Sequence, residues 1–167
     1  MNVFFTNNDP IIAASEHCHK HQTKMIVEYA QLMSTAHHVL DGDNAIDGIY
    51  KSTHVNHPSA VWVRKAGIHY CWVFKCAREL CRLYTERTGK VHKTEAVIHA
   101  LGIPPRNISV SPFYEPPVCA PDEFKAVAVF NGAAKAYRDY MLFKFDEWRN
   151  REKPIAVTFD VTPDWAI

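Results

Sequence analysis

Hydrophobic residues recur every three or four positions between His21 and His38, which predicts an amphipathic helix. The side chains expected on its buried face are Met25, Tyr29, Leu32, Ala36 and Val39. Residues 11–40 can be drawn as one helix or as two. We favour a break near Cys18–Lys20, because the sequence HCHKH has a weak helix propensity. Asp9 followed by Pro10 predicts that the first helix begins there.

A second hydrophobic stripe predicts another long helix, which begins at Pro58 and ends before Gly89. The side chains expected on its buried face are Trp62, Ala66, Tyr70, Val73, Ala77, Leu80 and Tyr84. A short third helix is predicted over Thr94–Leu101, and a last amphipathic helix over Gly132–Arg151. The core residues expected from this last helix are Ala136, Tyr140, Phe143 and Trp148.

The remaining segments have no helical period. Residues 103–122 are proline-rich, and a loop of this length inside a compact domain is either functional or mobile. Glu115, Asp122 and Glu123 stand among its prolines and suit the wall of a cleft. Met1–Thr6 is predicted to form a short strand or a packed arm, and Ile155–Phe159 is a possible short strand. The 167 residues therefore predict one compact, mainly α domain over 1–167, with two long helices, one C-terminal helix and a proline-rich loop.

The composition indicates a globular protein but does not indicate a binding partner. The chain is 47% hydrophobic and 22% charged, which is typical of a globular protein, and its net charge of +1 neither favours nor excludes nucleic acid. Three of the five cysteines, Cys71, Cys76 and Cys81, lie in a helical pattern that suits buried thiols rather than a disulfide framework. Neither a signal peptide nor a membrane span is indicated, so we expect a cytoplasmic setting.

A polar stripe lies beside the hydrophobic stripe of the first long helix. Its members are His21, Lys24, Glu28, Gln31, Thr35 and His38. One interpretation is a half-exposed face in which Lys24 and Glu28 form an ion pair of a few tenths of a kcal/mol. The other is a catalytic face at the border of the core, where burial shifts pKa values. Glu28 is then the catalytic carboxylate, with His21, Lys24 and Gln31 beside it, and Lys24 holds Glu28 ionised or acts as an amine nucleophile.

Hydrogen-bond donors are dense before the second long helix and in the basic turn that follows it. A helix N-terminus favours anions, so these residues predict a phosphate-binding surface. Its predicted members are Lys51, His54, Asn56, His57, Arg64, Lys90, His92 and Lys93. The alternative is that Asn56 or His57 only caps the helix while the other residues form a solvated loop.

The ten histidines leave a metal site as an alternative. His17 and His21 have ligand spacing if they share a helical face, with Cys18, His54, His57 or an acid as a third partner. His19, His37 and His38 complete the set. However, neither HExxH nor CxxC occurs. GxGxxG, GxxxxGK[ST] and GxSxG are also absent, so we expect no metal and no other cofactor.

Five blocks of sequence resemble, in this order, a group of small tailed-phage proteins, and the resemblance covers most of the chain. The blocks are HCHKHQTKMIVEYAQLMSTAH, YKSTHVNHPSAVWVR, GKVHK, EPPVCAPDEFK and AYRDY. More remotely, the first long helix and the NHP helix are similar to the pyrimidine-dimer DNA glycosylase family. A histidine two turns before a catalytic glutamate in that family matches His21 and Glu28, and its NHP motif matches residues 56–58.

The resemblance implies a compact helical enzyme that flips a nucleotide out of duplex DNA and cleaves its glycosidic bond. The family's nucleophile is the α-amino group exposed when the initiator methionine is removed from a small second residue. Asn2 departs from that pattern, so the resemblance implies base release or exchange without implying strand nicking.

The expected function is therefore that of a phage DNA-acting, glycosylase-like enzyme with Glu28 as catalytic carboxylate. Two alternatives stay open. One is a metal-dependent nuclease or hydrolase that uses the histidines. The other is a non-enzymatic phage protein that binds a host partner through the proline-rich loop and the aromatic tail.

Overall fold

Helices form every regular element of the structure, a computed structural model that describes residues 1–167. In chain order they are α1 (Pro10–Ser15), α2 (His19–Asp41), α3 (Pro58–Lys65), α4 (Gly67–Thr88), α5 (Glu95–Ala100) and α6 (Asp122–Arg149), with 3₁₀ turns at Gly42–Asn44 and Asp164–Ala166. The prediction of a mainly α fold is confirmed. The segments suggested as short strands, Met1–Thr6 and Ile155–Phe159, form no strand. No helix has the length and apolar character that crossing a lipid bilayer requires.

The break predicted within residues 11–40 is confirmed, and the C-terminal tail stabilises it. Asp9 caps α1 by accepting hydrogen bonds from the Ile11 and Ile12 amides. α2 then begins at His19, whose amide donates to the Thr158 carbonyl across 2.8 Å. Asp160 accepts from the side chains of His19 and Gln22. The tail thus supplies the partners that the first turn of α2 lacks.

Helices α2 and α4 are antiparallel and form the centre of the core. His37 contacts Tyr70 near one end of the pair, and Arg87 bonds Gln22 near the other. Of the predicted buried side chains of α2, Met25, Tyr29, Leu32 and Ala36 are fully buried. Val39 is an exception, being 41% exposed on the last turn.

The second long helix was predicted as one element, and this is wrong at a single position. Ala66 has an extended backbone, with φ −152° and ψ 145°, and separates α3 from α4. His69 lies after the break and its Nδ1–H donates to the Trp62 carbonyl across 2.9 Å, while the Gly67 amide donates to Ser109. The groups released by the break are therefore paired elsewhere.

The N-terminal arm, residues 1–6, is a buried wedge between helices. Val3 and Phe5 are fully buried. The ring of Phe4 lies 4.8 Å from that of His21 on α2 and 6.1 Å from that of Tyr137 on α6, while the ring of Phe5 lies 5.1 Å from that of Trp72 on α4. The arm therefore holds α6 against the α2–α4 pair, which brings the chain terminus close to α2.

Helix α6 is a hairpin of two arms rather than a single rod. It begins at Asp122, ten residues before the predicted start, and bends at Gly132, where φ is 83° and ψ is 162°. The ring of Phe124 on the first arm lies 5.3 Å from that of Tyr140 and 5.7 Å from that of Phe143 on the second arm. Phe143 remains 49% exposed, so its prediction as a core residue is wrong.

We expect Gly132→Ala to destabilise the fold by about 1–3 kcal/mol, because this backbone conformation is essentially restricted to glycine. A Cβ would also lie 3.3 Å from both carboxylate oxygens of Glu115, one of which accepts from the Ala133 amide. Chemical denaturation measures the effect. Gly67→Ala is the matched control, since Gly67 does not have a positive φ and a Cβ there makes only ordinary contacts, 3.7 Å from Ile108 and 3.9 Å from the Ser109 carbonyl. Equal losses in the two variants would contradict a specific role for the bend.

Candidate active site at the chain terminus

Glu28 is a nearly buried carboxylate whose two oxygens face different nitrogen donors. Its side chain is 12% exposed. Lys24 Nζ lies 3.1 Å from Oε1, and the backbone amide of Asn2 donates to Oε2 across 3.1 Å. The α-amino group of Met1 lies 3.9 Å from the same Oε2. Glu28 therefore accepts a fixed backbone donor and lies between two amines.

The two amines differ in mobility. The side chain of Lys24 is 62% exposed on the outer face of α2, whereas that of Met1 is 3% exposed and packs against the core. The position of the α-amino group is therefore set by the fold, while Lys24 can swing into solvent.

Asn2 anchors the chain terminus and is itself buried, with 8% exposure. Its Nδ2 donates to the Cys119 carbonyl across 2.9 Å, and its Oδ1 accepts from the Val3 amide. The Tyr137 hydroxyl lies 2.6 Å from Oδ1 and 2.9 Å from the Pro117 carbonyl, and it accepts from the Cys119 amide. Burial raises the pKa of Tyr137, so the hydroxyl stays a neutral donor.

A cleft of about 710 Å³ adjoins this network. One wall is the Pro117–Pro121 segment of the proline-rich loop, the second consists of His57 and Pro58, and the third comes from both arms of α6. The cleft predicted at the proline-rich loop is thus present, although the acids proposed for its wall do not line it. Glu115 caps the second arm of α6, and Asp122 pairs with Lys125 at the surface.

His57 connects the cleft with Glu28. It caps α3, and its Nδ1 accepts from the Ser59 amide across 3.2 Å, as the capping alternative predicted. Burial lowers the pKa of His57, as does the positive charge of the chain terminus, while Glu28 opposes that shift. His57 is therefore a neutral imidazole with its proton on Nε2 at neutral pH, and a weak partner for phosphate.

His21 belongs to an aromatic cluster and not to the surroundings of Glu28. Its ring lies 4.8 Å from that of Phe4 and 5.0 Å from that of Trp148. Seven residues of helix separate it from Glu28, a rise of about 10 Å. The structure therefore does not bring His21 to the carboxylate; its ring packs instead against Phe4 of the N-terminal arm.

Burial makes His17 and His21 sensitive to pH. Burial lowers the pKa of His17 to about 4, and burial with nearby positive charge lowers that of His21 to about 3. The unfolded chain binds these protons near pH 6.5, whereas the folded chain does not. Both contributions to stability are therefore complete above pH 6.5 and are lost as the pH falls towards 4 and then 3.

We expect the free energy of unfolding to fall between pH 6.5 and pH 5 by up to roughly 3 kcal/mol per pH unit for the two histidines together. Denaturation at pH 7 and pH 5 measures this. His21→Phe removes one of the two groups that take up a proton on unfolding, so the slope of the unfolding free energy against pH should become smaller. Replacement of the exposed His99 by alanine should leave that slope unchanged. An identical pH slope in wild type and His21→Phe would contradict the expectation.

Thr35 and His38 of the polar stripe bind the backbone of residues 50–53, which follow the 3₁₀ turn after α2. Thr35 Oγ1 donates to the Thr53 carbonyl and accepts from the Thr53 amide, both at 3.1 Å. His38 Nε2 donates to the Tyr50 carbonyl across 2.9 Å. Gln31 is half-buried and lies one helical turn after Glu28. The stripe thus contains one ion pair, between Lys24 and Glu28, and side chains that hold the segment around Tyr50 and Thr53 against α2.

The predicted phosphate-binding residues divide into free and occupied side chains. Arg64 donates to the Val55 carbonyl across 2.6 Å, and His92 Nδ1 accepts from the Thr94 amide, so both stabilise loops. His54 has a left-handed backbone, with φ 49°, and its Nδ1 bonds Thr53 Oγ1. The exposed members whose side chains make no hydrogen bond are Lys51, Asn56, Lys90 and Lys93.

The histidines suggested as metal ligands do not converge. His17 donates to the Ala13 carbonyl, while His19 bonds Thr158 and Asp160. His37 and His38 bond other loops at the opposite end of α2. No three His, Cys, Asp or Glu side chains are grouped as a metal site requires. The metal-dependent alternative thus has no geometric support.

Sequence reasoning missed Met1, Asn2, Cys119 and Tyr137. The available signal was the polar Asn2 directly before the apolar run Val3–Phe5, because a polar residue beside an apolar arm must find partners when the arm is buried.

Comparisons with models of protein families, with curated proteins and with solved structures find no match to this chain.

Proposed function

We propose that the chain is a phage-encoded, DNA-acting enzyme of the glycosylase type, in which Glu28 is the catalytic carboxylate. The single observation that carries the proposal is the pairing of this nearly buried carboxylate with the α-amino group of Met1 and with Lys24, next to an open cleft. The resemblance of the α2 and NHP segments to glycosylases supports the same conclusion.

In the proposed reaction, the bond between C1′ of a deoxyribose and its base breaks, and its electron pair leaves with the base, which takes up a proton. The positive charge that develops at C1′ and the ring oxygen is stabilised by the ionised Glu28. A water then forms the new bond to C1′ and gives one proton to Glu28. Glu28 releases this proton to bulk water, which also supplies the proton that the departing base takes up.

Lys24 has the role of an ion-pair partner that holds Oε1 of Glu28, because its ammonium lies 3.1 Å from that oxygen. The Asn2 amide fixes the direction of Oε2, so the carboxylate is held in one orientation before substrate binds. Gln31, one helical turn from Glu28, is proposed to contact the sugar or the departing base. His21 is proposed to support the site through Phe4, whose ring lies 4.8 Å from its own.

Three exposed lysines and the neutral amide of Asn56 are proposed to bind the DNA backbone. Lys51 and Asn56 lie in the segment that runs along α2 towards His57, so phosphates bound there flank Glu28. Lys90 and Lys93 lie beyond the C-terminal end of α4 and extend the basic surface. Binding through these groups weakens as salt rises, because each phosphate contact releases counterions.

The proposal is tested by a base-release assay on plain, ultraviolet-irradiated and phage-modified duplex DNA, each with and without a chelator. We expect release from at least one of these DNAs, unchanged by chelator, with an affinity that falls with salt. Lys51→Gln should lower the slope of log affinity against log salt by about one. Correctly folded protein that releases no base from any of the three DNAs would overturn the proposal.

A further inference from the structure

The outer face of α4 carries two adjoining depressions. The first, of about 650 Å³, lies between α4, α5 and Ile11 of α1. The second, of about 540 Å³, lies between the start of α4 and the segment Phe113–Glu115. Cys71 and Lys75 line both depressions, so the two form one groove along the helix. None of the residues that line this groove lines the cleft at the proline-rich loop.

Apolar side chains along the groove are open to solvent. Ile11 is 45% exposed, Ile68 48%, Tyr114 50% and Val91 70%. Val91 lies in the turn after α4 and lines one end of the groove, whereas Ile68 and Tyr114 line the depression at the other end. Exposed apolar side chains with charged residues around them are typical of a surface that another protein covers.

The charged side chains of the groove are separated by sign along α4. Lys75 and Arg78, on the earlier turns, are exposed and form no ion pair within the chain. On the later turns, Glu79 and Glu86 share a single cation, because both carboxylates pair with Arg82. One part of the groove is therefore positive, and the other part has a surplus of negative charge.

This arrangement is complementary to itself under a two-fold rotation. Arg78 and Glu86 are four residues before and after Arg82, so each lies about 6 Å from it along the helix axis. If two copies of α4 pack antiparallel with the two-fold axis at Arg82, Arg78 of each copy faces Glu86 of the other. The same rotation brings Val91 of each copy towards the depression that Ile68 lines on the other. Symmetric dimers are built in this way, since one surface patch meets its own copy.

We propose that the outer face of α4 is the interface of a symmetric homodimer, in which the groove of each copy receives α4 of the other. The lining of the larger depression includes three lysines or arginines and three glutamates, so it presents both signs of charge equally. A foreign acidic partner would be attracted by Lys75 and Arg78 but repelled by Glu86 and Glu95, whereas a second copy matches both parts. This inference goes beyond the proposed DNA-acting function and does not rest on it.

The test is sedimentation equilibrium of the full chain over a range of concentrations. We expect a dimer whose dissociation constant rises with salt, because the pairs between the copies lie at an exposed rim. Lys75→Glu combined with Arg78→Glu places like charges against Glu86 of the second copy and should raise the dissociation constant at least about tenfold. Glu86→Lys places a cation against Lys75 and Arg78 and should weaken the dimer in the same way.

Mixing the two charge-reversal proteins tests the two-fold pairing directly. Each protein alone repels its own copy, but in an equimolar mixture the negative face of one meets the positive face of the other. We therefore expect the mixture to form a heterodimer, which also shows that both variants are folded. Arg149→Glu combined with Lys153→Glu is the matched control, because it makes the same change in net charge at exposed positions outside the groove and should leave the dimer intact.

A second pair of variants tests the apolar contact without reversing a cation. Val91→Asp places a carboxylate against the apolar depression of the second copy and should also raise the dissociation constant at least about tenfold. Val161→Asp is its control, because Val161 is exposed to a similar extent, 78% against 70%, and lies in the C-terminal tail. Its dimer should match that of the wild type.

Three results would overturn the proposal. The first is a wild-type chain that stays monomeric up to its solubility limit. The second is a dimer that neither charge reversal nor Val91→Asp weakens, since its interface would then lie on another face. The third is a mixture of the two charge-reversal proteins that stays monomeric although both are folded. Base release from DNA by a monomer would leave the proposed function standing, so the two proposals fail separately.

Discussion

Glu28→Gln is expected to lower the rate of base release by about 10²- to 10⁴-fold with little change in DNA affinity. Glutamine keeps the shape of the side chain and still accepts from the Asn2 amide, so the arm stays in place. It removes the negative charge that, in the proposed reaction, stabilises the cationic sugar, and it ends the ion pair with Lys24. The measurement is single-turnover base release together with equilibrium DNA binding.

Glu79→Gln is the matched control. Glu79 lies on α4, its side chain is 13% exposed, and it pairs with Arg82, so the burial and ion pairing resemble those of Glu28. Its substitution should leave base release at the wild-type rate. A wild-type rate in Glu28→Gln would refute the assignment of the catalytic carboxylate, and an equal loss in both variants would point to a general effect on the fold.

The helical framework was predictable because periodicity reports burial directly. The buried faces of α2 and α4 follow from the spacing of residues such as Tyr29 and Tyr70, which are almost completely buried. The break before His19 followed from local propensity. In contrast, the bends at Ala66 and Gly132 depend on partners distant in sequence, namely Ser109 and the carboxylate of Glu115, which no local pattern reveals.

The candidate site was predictable only on the side that α2 contributes. Glu28 and Lys24 share a face through their spacing of four, and the ion pair follows from helix geometry. The other half of the site comes from residues 1–2 and 117–121, which fold onto α2 through an irregular arm and a proline-rich loop. Segments without a repeating backbone carry no periodic signal, so their meeting point could not be read from spacing.

The network around Asn2 is expected to be the most sensitive structural feature of the site. Asn2→Ala removes the donor to the Cys119 carbonyl and leaves the buried Val3 amide without its acceptor, so we expect a loss of about 2–4 kcal/mol in the free energy of unfolding. Tyr137→Phe removes the hydroxyl that serves Asn2, Pro117 and Cys119, with an expected loss of about 1–3 kcal/mol. Denaturation curves measure both losses.

A double-mutant cycle tests whether Asn2 and Tyr137 act as one network or as two independent sites. Because Asn2 Oδ1 and the Tyr137 hydroxyl lie 2.6 Å apart, the double variant should lose about 1 kcal/mol less than the sum of the two single losses. The exposed Asn131→Ala should change stability by less than about 0.5 kcal/mol. Additive losses in the cycle would contradict a shared network.

The same variants link stability to the proposed chemistry. If Asn2 sets the direction of Oε2, folded Asn2→Ala at low temperature should release base more slowly than wild type while binding DNA normally, because the carboxylate and the Met1 amine have lost a common anchor. Tyr137→Phe should slow release by a smaller factor, since it acts on Glu28 only through Asn2. A wild-type rate of base release in folded Asn2→Ala would show that the Asn2 side chain contributes to stability alone. The orientation of Glu28 would then depend on Lys24.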